Sequence, residues 1–186
     1  MGRVSQAQAQ ENRRRVVETA SRLLREEGTR LSVADLMKSA GLTHGGFYKQ
    51  FASKEALIDE ATAHAFAELA QHHKDGLDQY AGQRDAAQRA LIDAYLSVEH
   101  RDSPADGCPA AALATDMARD GGETEAHRVY SQGVGDFADF LATEDQDGIT
   151  RLCTMLGALV LSRATNGTPL SDEILTAART ALIGTN

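Results

Sequence analysis

Apolar side chains in this sequence recur at helical spacing from Val16 to Leu182, and no segment alternates apolar and polar residues over the length of a strand. Val16, Ala20, Leu23 and Leu24 make one stripe, Leu57, Ala61, Ala65 and Leu69 a second, and Ala87, Leu91, Ala94, Tyr95 and Val98 a third. Tyr130, Val134, Phe137 and Leu141 continue the pattern. It closes with Leu152, Met155, Leu156, Leu159 and Val160, then with Ile174, Leu175, Ala178 and Leu182. An all-α fold of about nine helices follows.

The punctuation between the stripes agrees. Gly28 stands where a C-terminal cap belongs, Ser32 is placed to cap a helix over 33–40, and Gly41 ends it. A short helix is expected from Thr43 to about Phe51, and Ser53 caps the longest one, which joins the N-terminal part to the rest. Segments 102–106, 120–125 and 143–148 read as loops, Pro109 suits a first helical turn, and Asn166-Gly167-Thr168-Pro169 is a turn before a last helix capped by Ser171. This divides the chain into residues 8–54 and 55–186.

With 186 residues, 42% of them apolar, the chain can bury a sizeable core. Its longest apolar run, 155–161, falls short of the roughly 20 residues a bilayer requires, and the first residues lack the apolar core of a signal peptide. Two cysteines make neither a disulfide framework nor a zinc site, so a cytoplasmic, reducing location is expected.

The net charge of −8 argues against a nucleic-acid partner until its distribution is considered. Residues 1–54 carry ten Lys and Arg against five Asp and Glu, a balance of +5, while the remainder carries nine against 22, a balance of −13. A basic head on an acidic body is what a chain needs if one end meets phosphate.

The segment 31–57, LSVADLMKSAGLTHGGFYKQFASKEAL, gives that head a shape. Two short helices joined at Gly41 pack steeply only if the turn is tight and the facing residues are apolar. Leu36, Ala40, Leu42 and Phe47 are placed to close that small core, leaving Thr43, His44, Lys49 and Gln50 outside. A helix so presented offers its N-terminal residues to the major groove.

The run Ser32, Leu36, Ala40-Gly41-Leu42-Thr43, Phe47-Tyr48, Phe51, Lys54-Glu55 and Leu57 resembles the DNA-binding domain of the TetR family. The Tyr-x-x-Phe and Ser-Lys-Glu-Ala-Leu elements, in register with the Ala-Gly-Leu turn, make the likeness specific. The resemblance implies a three-helix helix-turn-helix domain followed by a helical domain for effector binding and dimerisation. It implies a homodimer joined through the last two helices, a double-stranded palindromic DNA operator, a small-molecule effector that releases a repressor, and no membrane partner. Thr43 and His44 are then candidates for base edges, and Gly45 and Gly46 for close backbone approach to the bases. Tyr48, with its ring half buried, joins Ser32, Lys49 and Lys54 as a candidate for phosphate. Arg13–Arg15 could reach phosphate or the minor groove, although a solvated basic run is the simpler reading.

The body offers one chemical lead. Cys108 precedes a helix start at Pro109, where the helix dipole would lower a thiol pKa, so a thiol-based electrophile or redox sensor is an alternative trigger. Cys153, inside an apolar stripe, reads as packing, and the six histidines have no metal-ligand spacing; His64 or His73 could line a pocket, with surface positions the simpler expectation. No cofactor or metal is expected, and no catalytic constellation marks an enzyme. A helical enzyme or carrier with a vestigial head is the remaining alternative.

Overall fold

The computed structural model describes residues 6–184, and among them every regular element is helical. In order these are α1 (Gln6–Glu27), α2 (Val33–Ser39), a 3-10 helix (His44–Lys49), α3 (Lys54–Gln79), α4 (Arg84–Tyr95) and α5 (Val98–Asp102). A second 3-10 helix (Pro104–Asp106), α6 (Pro109–Arg119), α7 (Glu125–Leu141), α8 (Gly148–Ala164) and α9 (Pro169–Ile183) follow. No helix among the described residues is long and apolar enough to cross a membrane.

The caps expected at Ser32 and Ser53 form. Ser32 Oγ accepts from Asp35 N at 3.0 Å and Ser53 Oγ from Ala56 N at 3.1 Å, each satisfying a donor that the first helical turn leaves open. Gly28 and Gly41 turn the chain with φ of +77° and +69°. Two details differ from expectation. The third stripe breaks after Tyr95, because the Ser97 hydroxyl donates to Ala94 O and accepts from His100 N, ending one helix and capping α5. Ser171 caps nothing: α9 already starts at Pro169, and Ser171 is buried inside it, donating to Ser162 O at 2.7 Å and accepting from Arg101 at 2.8 Å.

Two apolar cores result. The head core gathers Val16, Ala20 and Leu24 of α1, Leu36 and Met37 of α2, Phe47, Phe51, and Leu57 and Ala61 of α3. It also takes in Leu113 and Met117 of α6, so a body helix completes it. The body core is built from Phe66, Ile92, Tyr95, Phe137, Leu141, Leu152, Met155 and Leu159. Helix α3 belongs to both: Leu57 and Ala61 serve the first core and Phe66 the second. At 26 residues it is about 39 Å long.

Polar contacts fasten head to body at the same seam. Asp116 of α6 accepts from Thr29 N at 2.6 Å, just past the end of α1. Arg22 pairs with Asp106, and Arg25, with a side chain only 7% exposed, pairs with Glu68 of α3 at 3.0 Å.

One glycine fixes how α7 meets α8. A Cβ built on Gly148 would lie 2.0 Å from Ala138 O and 2.8 Å from Ala142 N, both backbone atoms. Gly148→Ala is therefore expected to lower stability by about 1–3 kcal/mol, the usual penalty for overpacking, read as a reduced denaturant midpoint. An unchanged midpoint would mean that this junction yields.

Candidate nucleic-acid interface

The segment from Ala40 to Lys54 turns its apolar side chains inward and its polar ones out. The turn closes with Gly41 N donating to Lys38 O at 3.0 Å and Leu42 N to Met37 O at 2.8 Å. Phe47 is fully buried against Phe51, with ring centroids 5.5 Å apart, and Leu42 packs part-buried at the edge of the core. Thr43, His44, Gly45, Tyr48 and Lys49 are exposed.

The expected α-helix over 43–51 is instead a 3-10 helix over His44–Lys49, with Thr43 at its N-cap making no side-chain cap bond. Two consecutive glycines weaken α-helical propensity there by about 1 kcal/mol each, so a short, tight winding suffices. The glycines also face differently. A Cβ on Gly45 would meet nothing within 4 Å, whereas one on Gly46 would contact Met37 at 3.6 Å. Gly45 alone offers a bare outward backbone; Gly46 is packed toward α2.

Tyr48 departs from expectation as well. Its side chain is 68% exposed rather than half buried, and its ring meets only the edges of Phe47 and His44, at 5.1 and 6.2 Å. Phe47 already fills the core position, which leaves Tyr48 on the outer face. Ser32 and the part-buried Lys54 line one shallow groove between α2 and α3, so the structure brings those two together.

Charge pairing separates the cations of the head. Arg13 pairs with Glu60 and lies 4.7 Å over the Phe51 ring, and Arg14 pairs with Glu11 and Glu18. Of the run Arg13–Arg15, two members are thus held within the head. Lys38, Lys49 and Lys54 have no carboxylate within ion-pair distance among the described residues, and all three belong to α2, the 3-10 helix or the start of α3.

The body holds a cavity of about 730 Å³ between α3, α4 and the segment 97–109. Cys108 lines it but is buried at the N-cap of α6. Burial pushes its thiol up, which corrects the expectation of a lowered pKa: desolvation outweighs the helix end. The neighbouring His100 is fixed as one tautomer. Its Nδ1 donates to Tyr95 O at 2.7 Å while its Nε2 accepts from Cys108 N at 3.2 Å. The nearby Asp102 and Asp106 are engaged by Arg101 and Arg22.

His73 is part-buried and lines the cavity. Its ring stacks on Phe140 with centroids 4.4 Å apart, its Nε2 is buried without a partner, and burial lowers its pKa to about 4. Tyr95 lines the same cavity with a buried hydroxyl beside the Cys108 thiol. His64 remains part-exposed, 3.5 Å from Glu68. Cys153 is exposed instead of packed, because Leu152, Met155 and Leu159 supply the buried face of α8 and Cys153 falls on the other. No group of three metal-ligating side chains occurs among the described residues.

The arrangement defines a class: a small helix-turn-helix head carried on an all-helical body. Residues 16–61 match the family of bacterial regulatory proteins, tetR family, so the head is similar to the DNA-binding domain of that family. The chain is 30% identical over 101 residues to the HTH-type transcriptional repressor KstR2 of Mycobacterium tuberculosis, covering 54% of this chain and 50% of that protein. The chain thus spans half the length of the curated relative it matches. The reduced form of E. coli NemR has the same fold, with a TM-score of 0.75 at 20% identity, over 93% of this chain and 95% of that one. AibR, solved with isovaleryl coenzyme A and operator DNA, aligns with a TM-score of 0.54 at 16% identity, over 94% of this chain and 100% of that one.

The neutral His73 makes stability depend on pH. An unfolded chain takes up this proton near pH 6.5, whereas the folded one resists it down to about 4. The stabilisation is complete above 6.5 and is lost as pH falls through that window. Thermal melts at pH 7 and pH 5 should accordingly show a smaller acid-induced drop in His73→Leu than in the parent chain. Equal drops would place His73 in contact with solvent.

Proposed function

We propose that the chain is a dimeric transcriptional repressor that binds a palindromic operator through residues 32–54 and leaves it when a small molecule enters the body. The observation that carries this reading is the outward set Thr43, His44, Gly45, Tyr48 and Lys49, flanked by the unpaired Lys38 and Lys54. Thr43 and His44 face base edges, Gly45 lets the backbone approach them, and Tyr48, Lys49, Lys54 and the capped N-terminus behind Ser32 meet phosphates. Gly46 contributes by packing against α2.

Dimerisation through α8 and α9 is supported by the apolar side chains left outside. Ile149, Val160, Leu161 and Leu170 are 64%, 47%, 56% and 51% exposed, and all four belong to these two helices. Their inner faces fill the body core, so each helix has one face for its own chain and one for a second copy. A twofold dimer calls for half-sites about one helical turn, roughly 34 Å, apart.

The effector belongs in the cavity lined by Tyr95 and His73, whose size suits a drug-sized molecule. Arg25 of α1 and Glu68 of α3 border it, so an occupant that shifts this pair moves the head against the body. Release follows only if the ligand binds the released state better than the DNA-bound one. The AibR structure, with an acyl thioester and operator DNA on one protein of this fold, fits the scheme. A covalent trigger at Cys108 is not favoured, given its burial and raised pKa.

Gel-shift titrations test the interface. Lys54→Ala should weaken binding to every duplex and lower the salt slope by about one. Tyr48→Phe should weaken it by about 0.5–1.5 kcal/mol without changing preference. His44→Ala should also relax discrimination at one base pair by about 1–3 kcal/mol. Unchanged affinity in all three would reject this face. Sedimentation provides the second check: Leu161→Glu should convert a dimer to a monomer, and a persistent dimer would move the interface elsewhere.

A further inference from the structure

A second cleft, of about 780 Å³, opens between the first turns of α4, the loop 142–146, the start of α8 and the end of α9. It shares no residue with the cavity around Tyr95. Three guanidinium groups line it: Arg84, Arg89 and Arg151. None has a carboxylate within ion-pair distance among the described residues. Arg84 and Arg89 rest on backbone carbonyls, Arg84 on those of Asp139 and Phe140 and Arg89 on that of Ile183 at 3.4 Å.

Arg151 is the unusual member. It is only 5% exposed, yet its sole hydrogen bond goes to a neutral group, Gln88 Oε1 at 3.2 Å, and its Nε is buried with no acceptor. That geometry is built in. Gln88 is itself 1% exposed, and its Nε2 donates to Phe140 O at 2.6 Å and Ala142 O at 3.3 Å. The amide oxygen is thereby aimed at the guanidinium. Burial and the nearby charge of Arg89 both push the Arg151 pKa down, and only Asp85 opposes them. A buried cation held beside a like charge is strongly destabilising unless an anion compensates it.

We propose that this cleft binds a small molecule through one oxyanion group, a carboxylate or a phosphate monoester, held by Arg151 and Arg89. A planar guanidinium whose Nε–H has no acceptor suits two oxygens of one such group. The other charged residues lining the cleft limit the rest of the ligand. Asp85, Glu144 and Asp145 are exposed at its wall and repel further negative charge, so the remainder of the ligand is neutral or cationic. The cleft is larger than a bare ion needs, which leaves room for that remainder against Leu182 and Ile183.

Nitrogen-edited NMR of the arginine Nε–H groups tests this on the full chain. Acetate and inorganic phosphate are titrated separately at ionic strength held constant with chloride, and the Arg151 signal is assigned with Arg151→Lys. The expected result is a saturable shift of that signal with one or both probes; the stronger probe identifies carboxylate or phosphate. Arg89→Ala, an exposed substitution, should weaken the apparent affinity about tenfold, the loss expected of a charge-assisted bond. Arg119→Ala, on an exposed position outside the cleft, should leave it unchanged. Citrate should bind no tighter than acetate. A static Arg151 signal, a shift that never saturates, equal affinity in Arg89→Ala, or tightening in proportion to the charge of citrate would each overturn the proposal.

Discussion

The rest of the architecture hangs on α3, a single helix that is a structural member of both cores. Leu57 and Ala61 at its start close the head around Phe47, while Phe66 further along packs in the body. A helix that is rigid over two cores cannot tilt at one end without repacking the other. The orientation of His44 and Tyr48 is therefore a property of the body as much as of the turn that presents them. The second tie, through α6, works in parallel: Leu113 and Met117 complete the head core, and Asp116 holds Thr29 beyond the end of α1. Helix α3 lines the cavity that Tyr95 and His73 border, and α6 begins at its edge with Pro109. Occupancy there and DNA affinity can then be linked through discrete packing changes, without a separate transmitting device.

Electrostatics divides labour in the same way. Arg13, Arg14, Arg22 and Arg25 hold the head together or bind it to the body, each through a carboxylate. The lysines at the turn and the start of α3 have no carboxylate partner among the described residues. On the proposed reading, an acidic body would keep nucleic acid oriented toward the head, since the charge balance changes sign near residue 54.

The helical fold, the caps at Ser32 and Ser53, and the turn at Gly41 were legible in the sequence because they depend on local spacing and on single-residue backbone freedom. The outward placement of Thr43, His44 and Lys49 followed from the same periodicity. Features set by distant partners were not legible. Phe47 was legible as core from its spacing, but how far Tyr48 would stand out depended on how α1 and α3 closed over the turn, and the 3-10 winding depended on two glycines flanked by that packing. Cys153 looked like core because its stripe is apolar all round, and only the fold divides that stripe into an inner and an outer face. Cys108 misled for a related reason: a helix start predicts a lowered thiol pKa, but the depth at which Tyr95 and His100 bury it decides the sign. His73, Arg151 and the Asp116 contact had no sequence signal, because each owes its character to residues far away in the chain.

The central claim is that residues 32–54 of a twofold dimer read duplex DNA. A footprint of the purified chain on the DNA flanking its own gene tests it most directly. The account predicts a protected, inverted-repeat segment whose half-sites lie about one helical turn, or a related spacing, apart. Protection of a single asymmetric site, or of none at protein concentrations that saturate nonspecific binding, would contradict it.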